Sequence, residues 1–186
     1  MKQSHSIGPR TVRSTTVLAV KHKGRTAIGA DGQVTFDETV MKGTAYKLRE
    51  LADGKVVVGF AGGVADALTL FDRFEEKLKA YPRDLRRPAV ELAKDWRLDR
   101  ALRRLEALLI AVTRKELILI SGQGDVIEAD DDILAIGSGA PYATAAARAL
   151  VRHNKDMDAE QIVRESLQIA AEICVYTNEN IQVISP

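Results

Sequence analysis

Thr15-Thr16-Val17-Leu18-Ala19-Val20-Lys21-His22-Lys23-Gly24-Arg25-Thr26-Ala27-Ile28-Gly29-Ala30-Asp31-Gly32 is the stretch that decides the fold. Two strand-like runs, Thr16–Lys21 and Thr26–Gly29, flank the turn His22-Lys23-Gly24-Arg25, which predicts a hairpin with glycine in its loop. Turn chemistry at Asp31-Gly32-Gln33 ends the second strand. If the strands pair around Lys23-Gly24, Asp31 comes out near the same end of the hairpin as Thr15. Threonine is a common strand residue, so the pair Thr15-Thr16 is by itself ordinary. Cleavage after Ser14 changes its chemistry. The side-chain hydroxyl of a freed Thr15 can attack while its own α-amine, with a reference pKa of about 7.7–8.0, takes the proton.

Outward from the hairpin, strands are predicted at Ala45–Glu50 and Lys55–Ala61 with a turn at Asp53-Gly54, so the N-terminal third reads as an antiparallel meander. From Gly63 the period changes. Ala67, Leu68, Phe71, Phe74 and Leu78 recur at helical spacing, and a second helix is predicted between Asp84 and Leu105, starting near Pro88. Strands return at Leu108–Thr113, Leu117–Ser121 and Asp132–Gly137, followed by helices at Tyr142–His153 and Ala159–Val175 and a last strand at Ile181–Ile184. No repeat or low-complexity linker divides this order, which predicts one α+β domain with helix layers packed on antiparallel sheet.

The chain has 186 residues, 46% hydrophobic and 28% charged, the balance of an ordinary globule. A formal net charge of +1 provides no global field for drawing in nucleic acid or an anionic membrane. The single cysteine, Cys174, has no partner for an internal disulfide, and a cytoplasmic location is the expectation. Residues 1–14 contain the step Gly8-Pro9 but no apolar stretch fit for a signal-peptide core, and read as a tail or removable propeptide ahead of a domain at 15–186. No segment approaches the roughly 20 apolar residues that span a bilayer.

Several other features carry chemistry. Lys47 interrupts the apolar-leaning run Ala45-Tyr46-Lys47-Leu48; beside an amine and a carboxylate, a buried lysine lowers the amine's pKa through like charge. Gly59-Phe60-Ala61-Gly62-Gly63 and Ile136-Gly137-Ser138-Gly139-Ala140-Pro141-Tyr142 each join a strand to a helix, where backbone N–H groups suit an oxyanion or a phosphate. A nucleotide-binding protein is therefore the competing class, although neither loop ends in the Lys-Ser/Thr of a P-loop and the second lacks the third glycine of a dinucleotide fingerprint. Arginines between Arg83 and Arg104 alternate with Glu91, Asp95 and Asp99, as on a solvated or subunit-facing helix. His5, His22 and His153 show no metal spacing, and Cys174 reads as a small core residue.

Taken together, Thr15 to Val20, Ala30-Asp31-Gly32-Gln33-Val34-Thr35, Val40-Met41-Lys42-Gly43, Gly59 to Ala67, Ala89 to Arg97, Leu105 to Leu109, Ala135 to Gly139 and Ile173-Cys174-Val175-Tyr176-Thr177-Asn178 closely resemble the HslV (ClpQ) family. These are the peptidase subunits of bacterial ATP-dependent proteases, proteasome-like members of the N-terminal nucleophile hydrolases. The resemblance implies a four-layer αββα sandwich and a threonine endopeptidase. It further implies Thr15 as nucleophile with its freed amine as base, and Asp31 and Lys47 as the charged pair tuning that amine. Gly62 becomes the oxyanion donor, Ser138 part of the polar network near the amine, and Phe60 part of the substrate side-chain pocket. It also implies a sodium ion on the backbone oxygens of Ala171, Cys174 and Thr177, and no nucleotide bound by the chain itself. The implied partner is an HslU-type ATPase hexamer, which feeds unfolded polypeptides into a homo-dodecamer of two stacked six-membered rings. The chain departs from the family in having Ala30 where Gly-Asp-Gly is common, and in a leader of fourteen residues.

Overall fold

Alternating side chains along the first hairpin set the layers of the molecule. In the computed structural model, which describes residues 12–13, 15–82, 84–99, 102 and 107–186, strands β2 (Thr16–His22) and β3 (Arg25–Ala30) pair from Val17 opposite Ala30 to His22 opposite Arg25. Successive strand residues point to opposite faces. Val17, Ala19, Ile28 and Ala30 therefore face a second sheet, while Leu18, Val20 and Ala27 face helices. Both faces are apolar, so the hairpin is buried on both sides.

Strand β11 (Ile133–Gly137) pairs with β2, and β12 (Gln182–Ile184) pairs with β3, giving a four-stranded sheet in the order β11-β2-β3-β12. The second sheet has the order β10-β9-β8-β7-β6, from β6 (Leu48–Leu51), β7 (Val56–Gly62), β8 (Ala107–Val112), β9 (Leu117–Ser121) and β10 (Val126–Glu128). Val57, Ala61, Ile110 and Val112 meet the hairpin between the two sheets. The approach is close: a Cβ on Gly59 of β7 would lie 2.6 Å from Val17 Cγ1.

Helices complete the outer layers. Leu70, Phe71 and Phe74 of α1 (Val64–Ala80) and Leu92 and Trp96 of α2 (Arg86–Leu98) pack with Val58, Phe60, Leu109 and Ile120 of the five-stranded sheet. Ala143 and Ala147 of α3 (Ala140–His153) and Ile162, Val163 and Leu167 of α4 (Ala159–Ile173) cover the other sheet. The α4 N-terminus is fixed by a capping box between Asp158 and Gln161. The result is the four-layer αββα sandwich implied by the resemblance.

Three sequence expectations need correction. The N-terminal third is not one meander, because β2–β3 belongs to one sheet and β6–β7 to the other; alternation reveals a strand but not the sheet it joins. Residues 44–47 ahead of β6 belong to no strand, so the strand begins at Leu48 rather than Ala45. Helix α2 ends at Leu98, where Asp99 turns extended (φ −74°, ψ 125°), while residues 100–101 and 103–105 of the expected range lie outside the described residues. A short hairpin was also unanticipated: β4 (Val34–Phe36) and β5 (Thr39–Lys42) turn at Asp37 with φ 52°, and the leader contributes β1 (Val12–Arg13) against β4. Every residue of β5 is exposed, so it has no inward face to leave an alternating pattern.

Phe74 is fully buried between α1 and the five-stranded sheet. Phe74→Ala is expected to cost about 3–5 kcal/mol, measurable as a lowered midpoint of urea unfolding.

Candidate active site

Asp31 follows directly on β3 and has no side-chain exposure at all. A buried carboxylate needs donors, and four converge on it. Its Oδ1 accepts from the backbone N–H of Thr16 at 2.7 Å and from Lys47 Nζ at 2.7 Å. Its Oδ2 accepts from the N–H of Gln33 at 2.9 Å and of Asn178 at 3.3 Å. Hairpin pairing thus delivers Asp31 to the residue next to Thr15, as its spacing implied. The extra methyl of Ala30 is absorbed in the apolar layer between the sheets.

Lys47 comes from the segment directly ahead of β6, and its side chain is only 2% exposed. Burial pushes its pKa below the usual lysine value, with the Asp31 carboxylate and the hydrogen bond to it pulling the other way. The ammonium therefore holds its proton less firmly than a surface lysine. It donates to the same carboxylate oxygen as the N–H of Thr16, which places positive charge close to the backbone that carries Thr15.

The turn after β11 clamps Thr15 from the other side. Ser138 N–H donates to the Thr15 carbonyl at 2.9 Å. Gly137 has φ +95°, and a Cβ there would lie 1.8 Å from that same carbonyl oxygen, so no larger residue fits. The Ser138 side chain is exposed. At the start of α3, Gly139 N–H donates to Thr16 Oγ1 at 3.0 Å, and Thr16 Oγ1 in turn shares a 2.7 Å hydrogen bond with Thr177 Oγ1. The donors that suggested a phosphate loop at Ser138 and Gly139 are thus spent on Thr15 and Thr16.

The remaining sequence-derived positions are arranged as follows. Gly62 ends β7 with φ +135°, immediately before α1, and is not part of the hydrogen-bonded set around Asp31. Phe60 is 4% exposed and packs edge-to-face on Phe71 in the core beneath the helices. It shares the helix-facing side of β7 with Val56 and Val58. Ala171 lies in the last turn of α4, Cys174 caps that helix, and Thr177 follows in the loop. Among the described residues no group of three or more His, Cys, Asp or Glu could hold a metal ion, so a cation at this loop depends on backbone oxygens. That donor chemistry fits a hard monovalent ion, since the carbonyl end of a helix is electronegative.

Sequence reading missed Asn178 as a site residue, and missed the hydroxyls of Thr16 and Thr177. Asn178 and Asp31 are 147 positions apart, and no local pattern links them.

Comparison with known proteins then places the chain. A family model described as proteasome subunit matches residues 11–185. The ATP-dependent protease subunit HslV of Amoebophilus asiaticus is 60% identical over 172 residues, covering 92% of this chain and 96% of that protein. Its counterpart in Pseudothermotoga lettingae is 60% identical over 171 residues, covering 92% and 97%. The crystal structure of eukaryotic HslV from Trypanosoma brucei superposes with a TM-score of 0.87 at 48% identity, over 91% of this chain and 98% of that one.

Lys47→Met keeps most of the side chain's bulk but leaves the buried Asp31 carboxylate without its countercharge. The expected loss is about 3–5 kcal/mol of stability, read as a fall in the urea midpoint at neutral pH.

Proposed function

Since the chain belongs to the proteasome subunit family, we propose that it is the threonine-type peptidase subunit of an ATP-dependent protease, with Thr15 as its nucleophile once residues 1–14 are removed. The observation that carries this reading is that Asp31, itself paired with Lys47, accepts from the backbone N–H of Thr16 while the N–H of Ser138 donates to the Thr15 carbonyl. The 60% identity to HslV subunits along nearly their whole length supports it.

In this reading, cleavage of the Ser14–Thr15 bond frees the Thr15 amine. The amine takes the proton of the Thr15 hydroxyl as Oγ attacks the scissile carbonyl, and the oxyanion is held by the N–H of Gly62. The proton then passes to the leaving amine as the C–N bond breaks, leaving an ester on Thr15. Water, deprotonated by the same amine, hydrolyses that ester and restores the hydroxyl. Lys47 keeps the amine's pKa down through like charge, and Asp31 holds Lys47 in place. Ser138 pins the Thr15 carbonyl, which fixes the direction of both amine and hydroxyl.

The chain works as part of a larger cytoplasmic assembly. We infer a homo-dodecamer of two stacked hexamers that takes unfolded polypeptide from an HslU-type ATPase hexamer, whose docking activates the peptidase allosterically. The carbonyls of Ala171, Cys174 and Thr177 would hold a sodium ion, which would stiffen the loop that presses Thr177 onto Thr16.

Intact mass of the purified protein is expected to show loss of Met1–Ser14, with Thr15 as the first residue; an uncut and fully active chain would overturn the assignment. Thr15→Ala should reduce hydrolysis of a fluorogenic peptide to background while sedimentation shows assembly unchanged. Replacing sodium by N-methylglucamine at constant ionic strength should lower peptidase activity several-fold and reversibly.

A further inference from the structure

We propose that Asn178 is a positioning residue of the peptidase, whose side-chain amide bridges the two backbone segments that carry Asp31 and Lys47; this rests on the threonine-peptidase reading. Asn178 Oδ1 accepts from the N–H of Gly32 at 3.1 Å, directly behind Asp31. Its Nδ2 donates to the Gly43 carbonyl at 2.9 Å, four residues before Lys47. Its own backbone N–H reaches Asp31 Oδ2. One residue of the loop after α4 therefore holds the carboxylate, the strand end that carries it and the segment that brings its lysine.

The two bridged segments touch. Ala45 N–H donates to the Gly32 carbonyl at 2.8 Å, and a Cβ on Gly32 would lie 2.5 Å from the Gly43 carbonyl oxygen. Neither segment has a strand ladder of its own at this point, since β3 ends at Ala30, β5 at Lys42, and β6 starts at Leu48. The amide of Asn178 supplies the missing cross-links. It is suited to this because one planar side chain offers an acceptor and a donor pointing in different directions. Asn180 anchors the bridge, giving its N–H to Asn178 Oδ1 at 3.2 Å and its Nδ2 to the Gly43 carbonyl at 2.7 Å.

A positioning role predicts more than lost stability. In Asn178→Ala, kcat for a small fluorogenic peptide should fall tenfold or more with KM within twofold. As Lys47 drifts from its place, the acid limb of the kcat/KM profile should move to higher pH by about half a unit or more. Amide hydrogen exchange at Gly32 should quicken at least tenfold. Asn178→Asp retains the acceptor for Gly32 but not the donor to Gly43, so it should keep Gly32 protected while losing at least threefold in kcat.

A superimposable pH profile with kcat within threefold in Asn178→Ala, or unchanged Gly32 protection in that variant, overturns the proposal. If Asn178→Ala does not assemble, Asn178→Asp decides, and wild-type kcat there overturns it. Should the processed wild-type chain hydrolyse no peptide, the peptidase reading fails on its own account, and Gly32 exchange still judges the bridge.

Discussion

The ion pair between Asp31 and Lys47 is the constraint on which the rest of the structure depends. Two charges with almost no exposure are costly to bury, and breaking such a pair costs more than forming it gains. The fold meets that demand by surrounding the carboxylate with backbone N–H groups from three other places in the chain, at Thr16, Gln33 and Asn178. Each donor fixes a segment, and one of those segments begins with Thr15, the proposed nucleophile. The same arrangement that makes the burial tolerable thus also places the reactive residue.

The αββα architecture explains how such a site can be rigid. Apolar side chains on both faces of β2 lock that strand between the second sheet and α3 and α4, so that Thr16 enters the sandwich with no exposed surface. Thr15 stands one residue before this locked region. The turn at Gly137 and Ser138 then approaches so closely that only glycine fits. Precision at the site is thereby inherited in part from core packing and backbone contacts.

Much of this was legible in the sequence, for a physical reason. Strand alternation in Thr16–Lys21, the Gly24 turn and the Asp31-Gly32 stop are local signals, and hairpin pairing converts their spacing into proximity. Helical periodicity in α1, α3 and α4 is equally local. The partition of strands between two sheets was not legible, because it depends on which apolar faces meet. The exposed strand β5 left no inward face to read. Asn178 was invisible as a site residue. Its bonds reach Gly32, Gly43 and Asp31, which approach it only after both sheets have formed.

The loop after α4 also sets a condition on time. Thr177 on Thr16, Asn178 on Asp31 and β12 against β3 all come from the last tenth of the polypeptide, whereas the residues they complete lie in the first quarter. A ribosome-bound chain that still lacks those residues has a carboxylate short of a donor and a first hairpin with one edge bare. Its threonine is not yet held. Chain completion is thus written into the site as a prerequisite, and a truncated product carries Thr15 without the contacts that hold its neighbours in place.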